Sequence, residues 1–304
     1  MSDPDPATRA VPAVFGVNIH STFQRSVYRD ADALFDCVLA TGATWVRDNL
    51  AGVGQWGKQL ALWQRFREAG IGVDAIVGSP TRNPDPTLRA TYARELTEAA
   101  DCLISVEGWN EPDNDFPGWV ASAADNQAWL WGVVKGEPAL AHVTVIGPSL
   151  RSRSATFAAD IKDVYAACAG YYDLVNVHCY PGGGRAADTY VDDTLAKLPA
   201  GRAIITEGGY NTGLGIARAG TPVEPSAQAR LTLDYVRRVN ARGMDIAIYE
   251  LLDDPDPDNT TWEAHFGFWE TPSLDPSTWA AKPVLRVMAD AAAGRAVQVE
   301  STAP

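Results

Sequence analysis

The sequence predicts a single α/β domain in which eight strand–helix units close into a (β/α)8 barrel. Three observations carry that expectation. Eight short β-rich runs alternate with helical patterns along the 304 residues, no linker or break in composition divides the chain, and polar side chains gather where the strands end. An open doubly wound sheet is the rival, but it does not require eight units.

The strand segments are AVFGVNIH (13–20), TWVRDNL (44–50), GVDAIVG (72–78), CLISVEGW (102–109), HVTVIGP (142–148), DLVNVHCY (173–180), RAIITEGG (202–209) and DIAIYELL (245–252). Each is a short apolar and β-branched run, as strands covered on both faces require. Helical spacing fills the gaps between them. Leu34, Phe35, Val38 and Leu39 form the first stripe, Leu62 and Phe66 the second, and Leu88, Tyr92 and Leu96 the third. Trp129, Leu130 and Val133 follow, then Phe157, Ile161, Val164 and Tyr165, and a last helix is expected near 277–293. Gly42, Gly70 and Gly243 stand just past helical runs, where a left-handed cap belongs. The domain is therefore expected over 13–293, with 1–12 and 294–304 as loose tails.

Composition narrows the partners. A formal charge of −13 argues against nucleic acid and against an anionic membrane surface. No apolar run approaches the length of a membrane span. The opening MSDPDPATRAVPAV lacks the charged-then-apolar pattern of a secretory signal, so a soluble protein is expected, cytoplasmic or secreted after removal of a signal peptide. Cys37, Cys102, Cys168 and Cys179 have neither metal-type spacing nor a dense disulfide pattern, which predicts buried thiols. The sequence sets no oligomeric state.

Function in such a barrel sits where strands end and βα loops begin. Strand one ends in Asn18 and His20, strand two in Arg47 and Asp48, and strand four in Asn110 and Glu111. Strand six ends in His178 and Tyr180, strand seven in Glu207, and strand eight in Tyr249 and Glu250. Glu111 and Glu207 are three βα units apart and face each other across the mouth. Such a pair suits glycosidic cleavage, where one acid protonates the leaving oxygen and the other attacks the anomeric carbon.

These positions carry a resemblance. Glu107-Gly108-Trp109-Asn110-Glu111-Pro112 resembles the E-x-W-N-E-P signature of family 39-type glycoside hydrolases, and family 5 enzymes share its N-E-P core. His178-Cys179-Tyr180 resembles their strand-six H-x-Y, Thr206-Glu207 their strand-seven nucleophile, and Arg47 the strand-two arginine. His265-Phe266-Gly267-Phe268 with Ala281-Lys282-Pro283 resembles the closing F-G-L and K-P-A tail, although Phe268-Trp269 departs from the usual aliphatic pair. From about residue 14 to 290 the chain thus resembles a retaining glycoside hydrolase of clan A.

The resemblance implies Glu111 as general acid/base and Glu207 as nucleophile, with carboxyl groups roughly 5–5.5 Å apart. Arg47 and Tyr180 are the candidate cation and hydroxyl that keep Glu207 ionised, and Asn110 would bind the sugar 2-hydroxyl. His178 and His20 either bind sugar hydroxyls or are satisfied core histidines. Asn18, Tyr249, Glu250 and Trp269 complete the substrate-facing set, Glu107 is expected to pair with Arg47, and Trp109 to pack in the core. The implied substrate is a β-linked oligosaccharide or polysaccharide, with no cofactor and no metal. A transglycosidase or an inactive carbohydrate-binding barrel is the alternative, and endo against exo action depends on loop shapes that sequence does not give.

Two further patterns are set aside. Gly52-Val-Gly54-Gln-Trp-Gly57 with Asp74 matches a dinucleotide fingerprint, but Arg47, Asp48 and Asn49 interrupt its strand-to-glycine junction. Asp254, Asp256 and Asp258 mimic a calcium loop, but Asn259 and His265 stand where its glycine and bidentate glutamate belong.

Overall fold

A computed structural model of the chain describes residues 12–51, 54–78, 86–114, 118–183, 187–216, 221–254 and 262–297. Eight parallel strands run in order: β1 (Gly16–Asn18), β2 (Trp45–Asn49), β3 (Gly72–Ile76), β4 (Leu103–Glu107), β5 (Thr144–Ile146), β6 (Val175–His178), β7 (Ala203–Gly208) and β8 (Ile246–Ile248). Every one lies inside the segment the sequence marks for it. Neighbours follow the order β5-β4-β3-β2-β1-β8-β7-β6, with β1 pairing to both β2 and β8. The remaining seam is stitched by the Ile146–Leu174 bridge. There Gly147 N–H donates to Leu174 O at 3.0 Å and Asp173 N–H to Val145 O at 2.7 Å. The sheet is therefore a barrel and not an open sheet.

The helices are α1 (Ala31–Thr41), α2 (Trp56–Glu68), α3 (Pro86–Glu98), α4 (Trp119–Gly136), α5 (Phe157–Ala167), α6 (Ala187–Leu195), α7 (Pro225–Asn240) and α8 (Pro283–Ala292). The first helix is capped at both ends. The Asp30 carboxylate accepts from the N–H groups of Asp32 and Ala33 at the start of α1, and Gly42 closes it at φ 74°. Gly70 and Gly243 likewise adopt positive φ. The last helix, α8, starts later than expected. Pro283, with φ already helical and no N–H to lose, suits the first helical position and not an interior one. Upstream of it, β9 (Trp269–Glu270) and β10 (Ala280–Ala281) pair antiparallel, which interrupts the strict alternation after β8.

Alternation along the strands divides the apolar residues into two sets. Val17, Val46, Val73, Val106, Val177 and Ile205 face outward and join the helix stripes in the main core. Trp45, Ile146, Leu174, Ile204 and Ala247 form a separate cluster that plugs the barrel. Gly16 is glycine because a Cβ there would run into the Trp45 ring. Two residues beyond Trp45 on the same face stands Arg47, so the charged layer rests directly on the plug. All four cysteines are free and buried. Among the described residues no helix is long and apolar enough to cross a membrane.

Candidate active site

Arg47 organises the interior. It is 2% exposed, and a guanidinium has five N–H donors, all of which find acceptors inside the protein. Nε and Nη2 form a bidentate pair with Glu107 at 2.7 and 2.6 Å. Nη1 donates to Asn18 Oδ1 at 2.8 Å and to Glu207 Oε1 at 2.6 Å, and Nη2 also donates to Asn110 Oδ1 at 2.7 Å. Burial works against the guanidinium charge, but Glu107 and Glu207 outweigh it and hold the group cationic. Behind this layer, burial and the charge of Glu107 push Asp74 up to about 8.

Adjacent strand residues point to opposite faces, yet Thr206 and Glu207 both reach the interior. Thr206 Oγ1 donates to Asn176 Oδ1 at 2.9 Å. Irregular register between β6 and β7 and between β7 and β8 is what re-aims Glu207, as a bulge does. Its second oxygen accepts from the Tyr180 hydroxyl at 2.6 Å. Burial alone raises the Glu207 carboxyl; the charges of His178 and Arg47, with the Tyr180 hydroxyl bond, overcome that and hold it below its ordinary value.

Glu111 reaches the site by a different local device. Its φ of 44° takes the chain out of strand geometry, so that Asn110 and Glu111 both turn to the mouth. A left-handed non-glycine residue costs about 1–3 kcal/mol and persists where surroundings over-determine it. Here Glu111 N–H donates to Ser149 Oγ at 3.2 Å and Pro112 is buried. His178, fully buried, places Nδ1 2.7 Å from Glu111 Oε1 and 3.2 Å from Glu207 Oε2. One imidazole nitrogen thus faces both carboxyl groups. Burial lowers the imidazole, while the Glu207 charge and the Glu111 bond raise it, and the net shift is upward. An oxygen of each glutamate and a ring nitrogen of His178 all lie within 4.8 Å of one another.

On the opposite rim, His20 Nε2 lies 3.1 Å from Glu250 Oε2, which also accepts from the Tyr28 hydroxyl at 3.1 Å. Burial pushes Glu250 up to about 7, opposed by His20. Tyr249, half-buried, sits edge-on to His20, Tyr180 and Phe266 with centroids 5.9, 6.2 and 5.5 Å away.

The substrate-facing set from the sequence therefore splits. Asn110, His20, Tyr180 and Tyr249 line the mouth. Arg47 has no N–H left for a ligand, and Asn18 is buried with Nδ2 on Thr206 O and Oδ1 on Arg47. Glu250 is closed in by His20 and Tyr28. Trp269 packs in the main core at 8% exposure, and among the described residues no hydrogen bond or ring contact joins its side chain to Glu111 or Glu207. Glu107 pairs with Arg47 and Trp109 is buried, both as expected. Two carboxylates and an imidazole are also a donor set a divalent cation takes, and among the described residues no other such group occurs. Asp256, Asp258, Gly52 and Val53 lie outside the described residues.

No protein-family model and no curated protein sequence matches this chain. Solved structures do match it. A Rhizomucor miehei β-1,3-glucanosyltransferase mutant in complex with laminaritriose superposes with a TM-score of 0.62 at 14% identity, over 94% of this chain and 98% of that one. What they share with this chain is the (β/α)8 barrel. An aphid myrosinase gives a TM-score of 0.64 at 10% identity, covering 93% and 98%. The endo-1,4-β-D-mannanase of Thermotoga petrophila RKU-1 gives 0.58 at 12%, covering 92% and 99%.

Within this barrel, several contributors carry no signal in the sequence. Ser149, Asn176 and Tyr28 meet the network only through contacts far apart in the chain; the Tyr28–Glu250 pair is 222 positions apart. Glu263, an exposed carboxyl, is raised by partial desolvation and by the charges of Glu111 and Glu207.

Proposed function

We propose that the chain is a retaining glycoside hydrolase that cleaves β-linked oligosaccharides or polysaccharides, with Glu207 as nucleophile and Glu111 as general acid/base. The observation that carries this reading is the close approach of the two carboxyl groups, within 4.8 Å across His178. That spacing suits direct attack, whereas inversion needs roughly 6.5–9.5 Å to admit a water between them.

In the first step a Glu207 oxygen bonds to the anomeric carbon while Glu111 gives its proton to the glycosidic oxygen, whose bond to that carbon breaks. Arg47 and Tyr180 supply what the nucleophile needs, a counter-charge and a hydroxyl bond that keep it ionised. In the second step Glu111, now a carboxylate, takes a proton from the water that attacks the glycosyl ester, and Glu207 leaves as the anion. Arg47 fixes Asn110 Oδ1 and so presents Nδ2 as the donor for the sugar 2-hydroxyl, a contact that strengthens at the transition state. His20 and Tyr249 complete the sugar-facing wall, and Asn18 and Glu250 act behind it. The unit that carries this activity is residues 13–293.

The named neighbours support a β-linked carbohydrate, since one is a β-1,3-glucanosyltransferase bound to laminaritriose and another an endo-1,4-β-D-mannanase. The transferase likeness favours transglycosylation as a second reading; it shares the first step and differs in whether water or a sugar accepts the glycosyl group. The test is Glu207→Ala on an aryl β-glycoside. Turnover is lost, and added azide restores it, giving a glycosyl azide of inverted configuration. Near-wild-type turnover without azide removes Glu207 from the nucleophile's role.

A further inference from the structure

Among the described residues, two aromatic side chains are strongly exposed, Phe23 at 46% and Tyr171 at 39%. Tyr171 lies between α5 and β6, at the end of the barrel away from the mouth. Phe23 lies in the loop after β1, at the mouth. One of its faces is covered by His20, with centroids 4.7 Å apart and planes 12° from parallel. Solvent reaches the rest.

A single exposed phenylalanine needs no explanation by itself. This one is held in place. Phe23 N–H donates to His20 O at 2.8 Å, and Phe23 O accepts from Ser26 N–H at 3.2 Å and from Ser26 Oγ at 3.0 Å. The turn is anchored to β2, where Asp48 accepts from Ser21 N–H at 3.1 Å. His20 itself is fixed by Glu250 and by the edge of Tyr28, 5.1 Å away. A ring ordered in advance loses little entropy when a ligand covers it.

The ring is also continuous with the candidate active site. From Phe23 the path runs to His20, to Tyr249, and to Tyr180, whose hydroxyl donates to Glu207. It ends on Glu207, the residue that would hold the glycosyl group between the two steps, and so leads to the part of the sugar chain that the enzyme keeps. Two rings intervene between Phe23 and Tyr180, so a pyranose seated on Phe23 falls beside the ring being cleaved and not upon it.

We propose that Phe23 is a stacking platform for a second sugar ring on the glycone side, and that the substrate is a β-linked chain of pyranoses with flat apolar C–H faces. The proposal rests on the hydrolase reading above. An equatorially substituted pyranose offers the apolar face that an aromatic ring can cover, while its hydroxyls stay in water at the rim.

The test compares wild type with Phe23→Ala on aryl β-glycosides of a single sugar and of its β-linked trisaccharide. The trisaccharide loses about tenfold or more in kcat/KM, chiefly through KM, as expected for uncovering one phenylalanine-sized apolar face. The single-sugar glycoside changes little, and Phe23→Trp restores the trisaccharide rate. An unchanged trisaccharide rate, or equal losses on both substrates, overturns the proposal. Should wild type turn over neither substrate, the hydrolase reading fails, and calorimetric titration with β-linked gluco-, manno- and xylo-oligosaccharides decides the platform separately. Binding that disappears in Phe23→Ala supports it; binding equal in both proteins, or none in either, overturns it.

Discussion

Tyr180→Phe removes one oxygen atom and leaves the ring, so it isolates the hydroxyl that Glu207 accepts at 2.6 Å. A hydrogen bond to a charged group contributes about 1.5–3 kcal/mol, and its loss raises the Glu207 pKa. The sign follows from the direction of the native shift. Glu207 is held below its ordinary value, so its ionised form is present above the folded pKa and is lost as pH falls through it. Taking away a donor to the ionised form moves that loss to higher pH. The acidic limb of kcat/KM should therefore shift upward, while the neutral plateau survives because Arg47 and His178 still face the carboxylate. The same depressed pKa contributes stability above the unfolded-state value that disappears as pH falls through the folded one, so Tyr180→Phe should narrow that acid window too. The assay is the pH profile of an aryl β-glycoside, with acid unfolding measured alongside. An acidic limb that stays put or moves downward would refute the assignment of Tyr180 as the hydroxyl that stabilises the nucleophile.

Three further outcomes are expected. Glu111→Gln should slow substrates with poor leaving groups by about 10²–10⁴, the usual worth of general acid catalysis, and spare the first step for activated aryl glycosides; equal losses on both would point to another acid. Arg47→Met should strand the buried Glu107 and Glu207 carboxylates and cost about 3–5 kcal/mol, read as a lower denaturant midpoint, and an unchanged midpoint would contradict the network. Gly16→Ala should push against Trp45 and cost about 1–3 kcal/mol, and full stability would show that the ring yields freely.

The sequence by itself determined the barrel, because its evidence is local. Strand and helix periods, glycine caps at Gly42, Gly70 and Gly243, and polar residues at strand ends all depend on neighbours a few positions away. The same local evidence identified Glu111 and Glu207 as a pair across the mouth and Glu107 as the partner of Arg47. It gave α8 too early a start, since Pro283 and the β9–β10 pairing decide that boundary. Tertiary structure alone decided which polar residues remain free to meet a ligand. Arg47 and Asn18 look like mouth residues in the chain, yet their donors are consumed by acceptors brought in from other strands. Trp269 looks like a rim aromatic and is core, because β9 folds back against Leu252 in the segment after β8. Glu207 points inward through an irregular register, and Glu111 through a single left-handed residue. A side chain's partners are set by closure of the barrel over hundreds of positions, and no window of sequence contains that closure.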